Sequence, residues 1–419
     1  MKILIKQAKI IAPSSPFNGQ IKDIFISDGK IAAIADSINE KADEIIAKDR
    51  LCVSVGWMDM FADFADPGFE QKENIESGAK AAAAGGFTDV MLIPNSQPVV
   101  DNKAQVEYII QKAKQVAVNI HPIGAISKKT DGNDLSEMYD MRQSGALAFS
   151  DGIKPVQNAG LILKALQYVK PFDGTIIQIP DDTSIGANGL MNEGIISTQM
   201  GLPGKPILAE ELMVARDLKL ARYADSKIHF TGISSPKSLE YIKRSKESGI
   251  KVSCSITPYQ VYFCDEDLQG YDTNLKLNPP LRTKEDMLAM RKALLDGNID
   301  CIASHHLPQH WDNKVCEFEY AKPGMIALET MFAVLMSCGL PAQDFVQMQT
   351  IHVRTIFGLP IPEIKEGETA SLTLFIPDAE FIFEEKMIQS KSKNSPFIGK
   401  QFRGKVIGII NKSNIHLNN

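Results

Sequence analysis

A few segments of this chain hold the side chains that could bind a metal or move a proton. Asp63 and Asp151 each follow an apolar segment, and the run "SHHLPQH" opens on Ser304 and contains His305 and His306. Hydrolytic zinc sites combine several neutral imidazoles with at least one carboxylate, because these ligands leave the metal acidic enough to activate water. Each carboxylate could instead cap a helix or bind a backbone amide at the end of a strand.

His306 and His310 are the one histidine pair with a spacing typical of a metal site on a helix. Residues four apart lie on the same helical face. Pro308 stands between them and disfavours a regular helix. We therefore favour a polar loop in which these histidines are hydrogen-bonded or solvated.

Residues 54–364 alternate strand-like segments with amphipathic helices. The eight strand candidates are "GWMDMFADF", "TDVMLIP", "NIHPIGAIS", "ALAFSD", "GTIIQIPD", "KIHFTGIS", "IKVSCSITP" and "IDCIASHH". A further segment, "GMIALETMFAVLMSCG" (residues 324–339), is predicted to form the last helix. Eight βα units predict a (β/α)₈ barrel, whose functional site lies at the carboxyl ends of the strands. A doubly wound sheet is the alternative. It normally carries a glycine-rich phosphate loop after its first strand, and this sequence has none there.

Both ends of the chain are rich in short β-like runs, such as "KILIKQAKII" and "KVIGIINKS". We expect residues 1–53 and 365–419 to form one small composite β-domain, and residues 54–364 to form the barrel. Two strand-rich ends around an α/β middle are typical of this arrangement.

Composition and charge exclude several classes of protein. The 419 residues carry a net charge of −6, whereas nucleic-acid binding needs clustered Lys and Arg. No apolar run is long enough to span a membrane, and the first residues lack the pattern of a signal peptide. The six cysteines form no CxxC pair. We expect reduced, buried thiols in a cytoplasmic protein.

Several longer motifs carry a resemblance to a known family. They include "DPGFEQKENIESGAKAAAAGGFTDVMLIPNSQPVVDN", "ALAFSDG", "GLMNEGIISTQMGLPGKP", "YDTNLKLNPPLRTKED" and "GMIALET". In these motifs, and over nearly its whole length, the chain resembles dihydroorotases, the cyclic amidohydrolases of pyrimidine biosynthesis, and the related allantoinases and hydantoinases. The resemblance implies a (β/α)₈ barrel of the metal-dependent hydrolase type with a composite β-sandwich and, in the family, a zinc centre.

The resemblance also aligns the metal ligands of the family with this sequence. The His-x-His pair after the first strand falls at Phe61 and Asp63, and the histidines after the fifth and sixth strands fall at Ile179 and Gly232. The bridging aspartate is retained as Asp151. The resemblance therefore implies that most zinc ligands are lost, and we expect no metal cofactor.

Other aligned positions concern the substrate and the catalytic base. The substrate-binding arginine falls at Ala65, and the catalytic aspartate falls at His305, followed by His306. Asn95 and Asn278 match family positions near the substrate. Two further family histidines fall at residues 259 and 309, which are tyrosine and glutamine here.

These losses on an intact scaffold lead to three hypotheses. The first is a catalytically inactive dihydroorotase homologue, homodimeric, with a structural or regulatory role toward a partner such as aspartate carbamoyltransferase. The second is an active cyclic amidohydrolase with an altered site built from Asp63, Asp151, His305 and His306. The third is a small-molecule sensor that uses Asn95 and Asn278 as hydrogen-bonding groups and Phe61 as an apolar wall.

Overall fold

The computed structural model describes residues 1–418. In this range the strands are β1 (Lys2–Ile10), β2 (Ile21–Ser27), β3 (Lys30–Ala35), β4 (Glu44–Ile46), β5 (Cys52–Val55), β6 (Trp57–Ala62), β7 (Phe87–Leu92), β8 (Asn119–Gly124), β9 (Ala148–Phe149), β10 (Thr175–Gln178), β11 (Met191–Asn192), β12 (Gly204–Lys205), β13 (Lys227–Phe230), β14 (Val252–Ile256), β15 (Cys301–Ile302), β16 (Ser371–Ile382), β17 (Gln401–Asn411) and β18 (Asn414–Leu417).

The α-helices of the same range are α1 (Ile75–Ala84), α2 (Lys103–Ala113), α3 (Met138–Gln143), α4 (Ala159–Val169), α5 (Ile195–Met200), α6 (Leu208–Ala224), α7 (Pro236–Glu247), α8 (Lys284–Leu295), α9 (Met331–Ser337), α10 (Ala342–Gln347) and α11 (Val353–Ile356). Short 3₁₀ or π turns lie at Lys128–Thr130, Lys170–Phe172, Tyr259–Val261, Asp265–Gly270, Thr273–Leu275, Trp311–Asn313, Met348–His352 and Glu385–Met387.

A parallel barrel forms the centre of the fold. Its eight strands run in the order β6–β7–β8–β9–β10–β13–β14–β15 within the described residues. A parallel bridge between Ala62 and His306 joins the end of the last strand to the first. Every residue of β6 and β7 is buried, because one face of each strand meets the barrel interior and the other meets the helices. The predicted (β/α)₈ barrel is confirmed.

Helix α1 shows how the sequence fixes the loop above the first strand. The Asn74 side chain accepts a hydrogen bond from the Ser77 backbone amide, and the Ser77 hydroxyl accepts one from the Asn74 amide. This reciprocal cap determines where the helix begins. Most of the alanines that follow are buried, and their small side chains allow the helix to pack closely on the barrel. The loop of residues 63–73 is thereby held over the carboxyl end of β6.

Strands from both ends of the chain form one continuous sheet. Its order is β18–β17–β16–β5–β1–β2–β3, with β4 paired to β1. Isoleucine, leucine and valine side chains from both ends share its core, among them Ile5, Val53 and Leu372. Strand β5 pairs with β16 across more than 300 residues of sequence, and Trp57 opens the first barrel strand directly afterwards. The small domain is therefore continuous with the barrel.

Two segments differ from the sequence prediction. The chain between β10 and α6 contains an insertion, in which β11 and β12 pair in parallel around helix α5. Its strands are two residues long, too short to give a periodic pattern. The predicted last helix over residues 324–339 was wrong in its first part. It begins only at Met331, because Met325 forms a bridge with His306.

Two further expectations concern the whole chain. All six cysteines are free thiols in the structure, and four of them are buried. Across residues 1–418, no helix combines the length and the apolar character needed to cross a bilayer.

Candidate functional site

The carboxyl end of the barrel contains apolar side chains at two positions that the resemblance aligns with metal ligands. Phe61 is completely buried and Ile179 is 2% exposed. Both belong to a cluster inside the barrel that also contains Met91, Ile123 and Ile177. A phenyl ring and a sec-butyl group have no lone pair to give to a cation, so this part of the site is hydrophobic core.

His305 and Gly232 are fitted to each other. The His305 ring stacks on Phe61, with ring centroids 4.5 Å apart and an angle of 29° between the planes. A Cβ atom on Gly232 would lie 2.8 Å from Cε1 of His305, closer than packed atoms tolerate. Gly232 also has a φ of +72°, which favours glycine. The imidazole of His305 therefore occupies the space into which a side chain at position 232 would extend.

The position of His305 is determined by buried hydrogen bonds. The preceding residue, Ser304, donates its amide and hydroxyl to Asp59, each at 2.7 Å. The Nε2 atom of His305 lies 2.8 Å from the Thr231 hydroxyl. Ser255 donates its hydroxyl to Thr231 at 2.9 Å and contacts Nε2 of His229 at 3.1 Å. The network joins four neighbouring barrel strands, β13, β14, β15 and β6, and all of its members are buried.

Burial lowers the pKa of His305 to about 3, and a second lowering cause is the nearby His229. The ring is therefore neutral at physiological pH. Its Nδ1 atom is buried and has no hydrogen-bond partner among residues 1–418. A neutral imidazole that stacks on phenylalanine behaves as a packing residue, and it is poorly placed to replace the catalytic aspartate of the family.

Asp151 is retained from the family pattern, but its oxygens are already used. Oδ1 accepts the amides of Ile126 and Ser127, each at 2.9 Å, and Oδ2 accepts the Ser127 hydroxyl. Burial raises the pKa of Asp151 to about 6, although these three hydrogen bonds act in the opposite direction. The carboxylate ties the end of β9 to the end of β8, which is the strand-end role that the sequence also allowed.

Asn95 has a similar structural role. Its amide nitrogen donates to the Asp151 carbonyl at 3.0 Å, and its oxygen accepts the Ile153 amide at 3.0 Å. A Cβ atom on Gly152 would overlap the Asn95 oxygen at 1.7 Å, so the turn after β9 fits tightly around this side chain. Both polar atoms of Asn95 thus stabilise the loop that carries Asp151.

Asp181, Lys205 and Asn278 form a polar triad that the sequence analysis missed. Lys205 Nζ lies 2.5 Å from an oxygen of Asp181 and 2.9 Å from the Asn278 side-chain oxygen. The Asn278 amide lies 3.3 Å from the same Asp181 oxygen. The Lys205 and Asp181 side chains are only 13% and 6% exposed. The sequence analysis named Asn278 but not Lys205, which stands within the quoted motif "GLMNEGIISTQMGLPGKP".

Asp63 lies in the loop after β6, where its side chain accepts the Ala65 amide at 2.7 Å. Burial raises the pKa of Asp63. Ala65 itself adopts a φ of +54° and is buried. No cationic side chain stands at this position to bind the carboxylate of a substrate. Asp63 therefore stabilises the loop in which it lies.

His306 and His310 are in different environments. His306 is fully buried, its Nδ1 accepts the amides of Ala327 and Leu328 at 3.3 and 3.4 Å, and its Nε2 is 3.8 Å from Glu73. His310 is partly exposed and contacts Asp312 at 3.1 Å. The segment between the two histidines is not helical. They do not share a site, and the loop that we favoured from the sequence is the arrangement found.

We tested whether the zinc centre of the family fits this donor set. Phe61 and Ile179 offer no donor atom, Gly232 has no side chain, and the Asp151 carboxylate already accepts three hydrogen bonds from the protein. No group of three His, Cys, Asp or Glu side chains within residues 1–418 is placed to hold a metal ion. The residues do not fit the metal.

A cleft of about 530 Å³ remains at the carboxyl end of the barrel. Asp151, Lys154, Asp181 and Asn278 line part of it. Of the residues named from the sequence, the structure brings Asp151 and Asn278 to this cleft. It places Phe61, His305 and Gly232 together in the core, and Asn95, Asp63 and His306 in separate structural roles. This size and polarity suit a small polar ligand.

Comparison with known proteins agrees with the fold. The family described as Dihydro-orotase-like matches residues 50–238. A protein named dihydroorotase from Acetivibrio thermocellus is 40% identical over 419 residues, covering 99% of this chain and 98% of the relative. Another, from Syntrophus aciditrophicus, is 38% identical over 414 residues and covers 97% of each chain.

The chain belongs to the dihydroorotase family. Among solved structures, L-hydantoinase from Arthrobacter aurescens has a TM-score of 0.84 at 20% identity, covering 99% of this chain and 95% of that one. Dihydropyrimidinase from Brevibacillus agri also has a TM-score of 0.84, at 19% identity, covering 100% of this chain and 95% of that one. These likenesses show the same barrel fold.

Proposed function

We propose that this member of the dihydroorotase family is catalytically inactive and acts as a structural or regulatory subunit in pyrimidine biosynthesis. The observation that carries the proposal is the interlocked packing of Phe61, His305 and Gly232 at the positions where the family has two metal ligands and its catalytic aspartate. The Phe61 ring and the His305 imidazole occupy the part of the barrel end where these groups would stand, and the polar cleft that remains lies beside them, against Asp151, Asp181 and Asn278.

The energetic consequence supports the same proposal. A hydrolase supplies at least ~8 kcal/mol of barrier lowering. In a zinc hydrolase, metal-activated water and the catalytic base provide most of it. Ala65 also removes the arginine that would hold the substrate carboxylate, and a bidentate Arg–carboxylate pair is among the stronger polar contacts. The groups at the barrel end that retain polar atoms are engaged in hydrogen bonds to the protein.

Metal content and turnover test the inactive role directly. The protein is purified without chelators and its zinc is measured by elemental analysis, with the Acetivibrio thermocellus relative purified in parallel as the positive control. We expect substoichiometric zinc and no turnover of dihydroorotate, with or without added zinc. One tightly held zinc per chain, together with turnover that zinc removal abolishes, would refute the proposal.

The proposed partner is aspartate carbamoyltransferase, and the proposed assembly is a homodimer within that complex. Family resemblance motivates both. Light scattering after size-exclusion chromatography measures the mass of the chain alone and mixed with the carbamoyltransferase of the same organism. We expect a dimer alone and a larger complex in the mixture. A monomer that leaves the carbamoyltransferase peak and its kinetics unchanged would contradict the regulatory role.

The cleft at the barrel end favours a second candidate function, a receptor for a small polar molecule. Asn278 and Lys205 are held rigidly by Asp181, and Lys154 adds a positive charge at the rim. Calorimetry with dihydroorotate, orotate and carbamoyl aspartate tests this candidate. Binding of one of them, weakened by Asn278→Ala and unaffected by Asn298→Ala outside the cleft, would support it. Absence of heat and of a thermal shift with all three would eliminate it.

A further inference from the structure

A second open cleft, of about 680 Å³, lies on loops at the carboxyl end of the barrel. We call it the aromatic cleft, and it is lined by Met200, Leu202, Tyr271, Phe318 and Tyr320. Leu202 and Phe318 are buried and form its floor, whereas Tyr320 is 72% exposed and Tyr271 is 47% exposed. Large exposed aromatic side chains over an apolar floor are typical of protein interfaces.

The rim of the aromatic cleft is acidic. Glu317 and Glu319 line it and are exposed, and neither carboxylate forms an ion pair with a cation in the part of the chain that the structure describes. Asp272, next to Tyr271, is also exposed and has no ion pair in that part. Negative charges on a rim attract cationic partners and repel phosphate groups.

Two lysines beneath the aromatic cleft point inward and hold its loops. Lys276 Nζ donates to the carbonyls of Phe318 at 2.7 Å and Glu319 at 2.8 Å, and the residue is 6% exposed. Lys314 is 7% exposed; its Nζ donates to the Thr273 carbonyl at 2.8 Å, and the Thr273 hydroxyl donates back to the Lys314 carbonyl at 2.6 Å.

Burying an ammonium group is costly unless its hydrogen bonds are satisfied. Lys276 uses its hydrogen bonds to fix the backbone of Phe318 and Glu319, and Lys314 ties its own segment to Thr273. Both ammonium groups are buried, so the exposed charges at the rim are those of the glutamates. A loop that is already ordered loses less conformational entropy when a partner binds. The aromatic cleft is therefore pre-shaped for binding.

We propose that the aromatic cleft is a docking surface for a protein segment that presents an apolar side chain flanked by arginine or lysine. The apolar side chain packs between Tyr271 and Tyr320, and the cations lie against Glu317 and Glu319. Nucleic acids and anionic membranes are disfavoured by the acidic rim. The inference rests on the proposed function in one respect, because it locates the surface through which a partner subunit would bind.

The test uses two pairs of matched variants of the full chain. Glu317→Lys with Glu319→Lys reverses the rim, and Glu247→Lys with Glu368→Lys reverses two exposed glutamates elsewhere. Tyr320→Ser removes the aromatic side chain, and Tyr223→Ser removes a tyrosine of similar exposure, 76%, on helix α6. All these positions are exposed, so the variants should fold, and circular dichroism checks that they do.

The probe is a fluorescein-labelled peptide with one tryptophan flanked by arginines, compared with the same peptide carrying glutamates. Fluorescence anisotropy should show binding of the arginine peptide alone. We expect the Glu317/Glu319 reversal and Tyr320→Ser each to weaken it at least tenfold, while both controls leave it unchanged. Equal binding of the two peptides, or equal effects of cleft and control variants, would overturn the proposal.

The same variants separate this inference from the proposed function. If aspartate carbamoyltransferase binds the cleft variants as it binds the controls, the regulatory role stands and the aromatic cleft is the wrong surface. If the arginine peptide binds the aromatic cleft and the carbamoyltransferase does not bind, the docking surface stands and the partner is wrong. Sedimentation velocity of the chain alone covers a third outcome. If Tyr320→Ser abolishes the dimer and Tyr223→Ser does not, the aromatic cleft binds a second copy of this chain. The proposal of a basic partner segment is then wrong.

Discussion

Replacing Gly232 with alanine adds one methyl group at the point where His305 fills the barrel end. The new Cβ would lie 2.8 Å from the imidazole, at a backbone φ of +72°. A left-handed conformation costs a non-glycine residue roughly 1–2 kcal/mol. Overpacking a filled core costs about 1–3 kcal/mol more. We therefore expect Gly232→Ala to destabilise the folded protein by about 2–5 kcal/mol, the sum of these two effects.

Gly358 provides the matched control for the backbone effect. It has a φ of +67° and no atom within 4 Å of its hypothetical Cβ, so alanine there should cost only the conformational part. A double-mutant cycle isolates the packing part. In a His305→Ala background the clash is gone, and Gly232→Ala should cost about 1–3 kcal/mol less than in the wild-type protein.

The assay is urea unfolding followed by tryptophan fluorescence; Trp57 is fully buried in the barrel wall and reports unfolding, whereas Trp311 is already 64% exposed in the folded protein. Free-energy differences come from midpoint shifts at constant slope. Equal costs for Gly232→Ala and Gly358→Ala, or no coupling between positions 232 and 305, would refute the packing interpretation. In that case the packing of His305 would not explain why residue 232 has no side chain to offer a metal.

Three further predictions follow from the buried polar groups. Lys205→Met leaves the Asp181 carboxylate buried without its cation, which should cost about 3–5 kcal/mol, and adding Asp181→Asn should recover part of that loss in urea unfolding. The pKa of Asp151 is raised to about 6 from an ordinary 3.8, so the folded state holds this proton more tightly than the unfolded chain does. The contribution of Asp151 to stability should fall by about 2 kcal/mol as pH rises from 4 to 6, out of about 3 kcal/mol over its whole titration, and Asp151→Asn should remove that slope; an unchanged slope would contradict the assignment. Because burial lowers the pKa of His305 to about 3, its imidazole nitrogens should keep neutral NMR shifts down to pH 5, and a midpoint near 6.5 would show that the ring is solvated.

Much of the fold could be predicted from the sequence, because barrel strands and helices have strong periodic patterns. The eight parallel strands lie where apolar runs alternate with amphipathic segments. The insertion of β11, α5 and β12 was not predicted, because its two-residue strands, unlike the equally short barrel strands β9 and β15, do not lie within a longer apolar run. The last helix is shorter in the structure than predicted, because Met325 pairs with His306. Local propensity does not encode such a contact between distant segments.

The candidate site divides in the same way. The sequence alone determined which donor atoms the barrel end can offer, because phenylalanine, isoleucine and glycine have no side-chain lone pair wherever they are placed. Only the tertiary structure decided how the retained groups are used. The insertion brought Lys205 against Asp181 and Asn278, and the end of the neighbouring strand β8 gave Asp151 three hydrogen bonds. Such contacts depend on which strand ends meet, and that is a property of the closed barrel that no local stretch of sequence specifies.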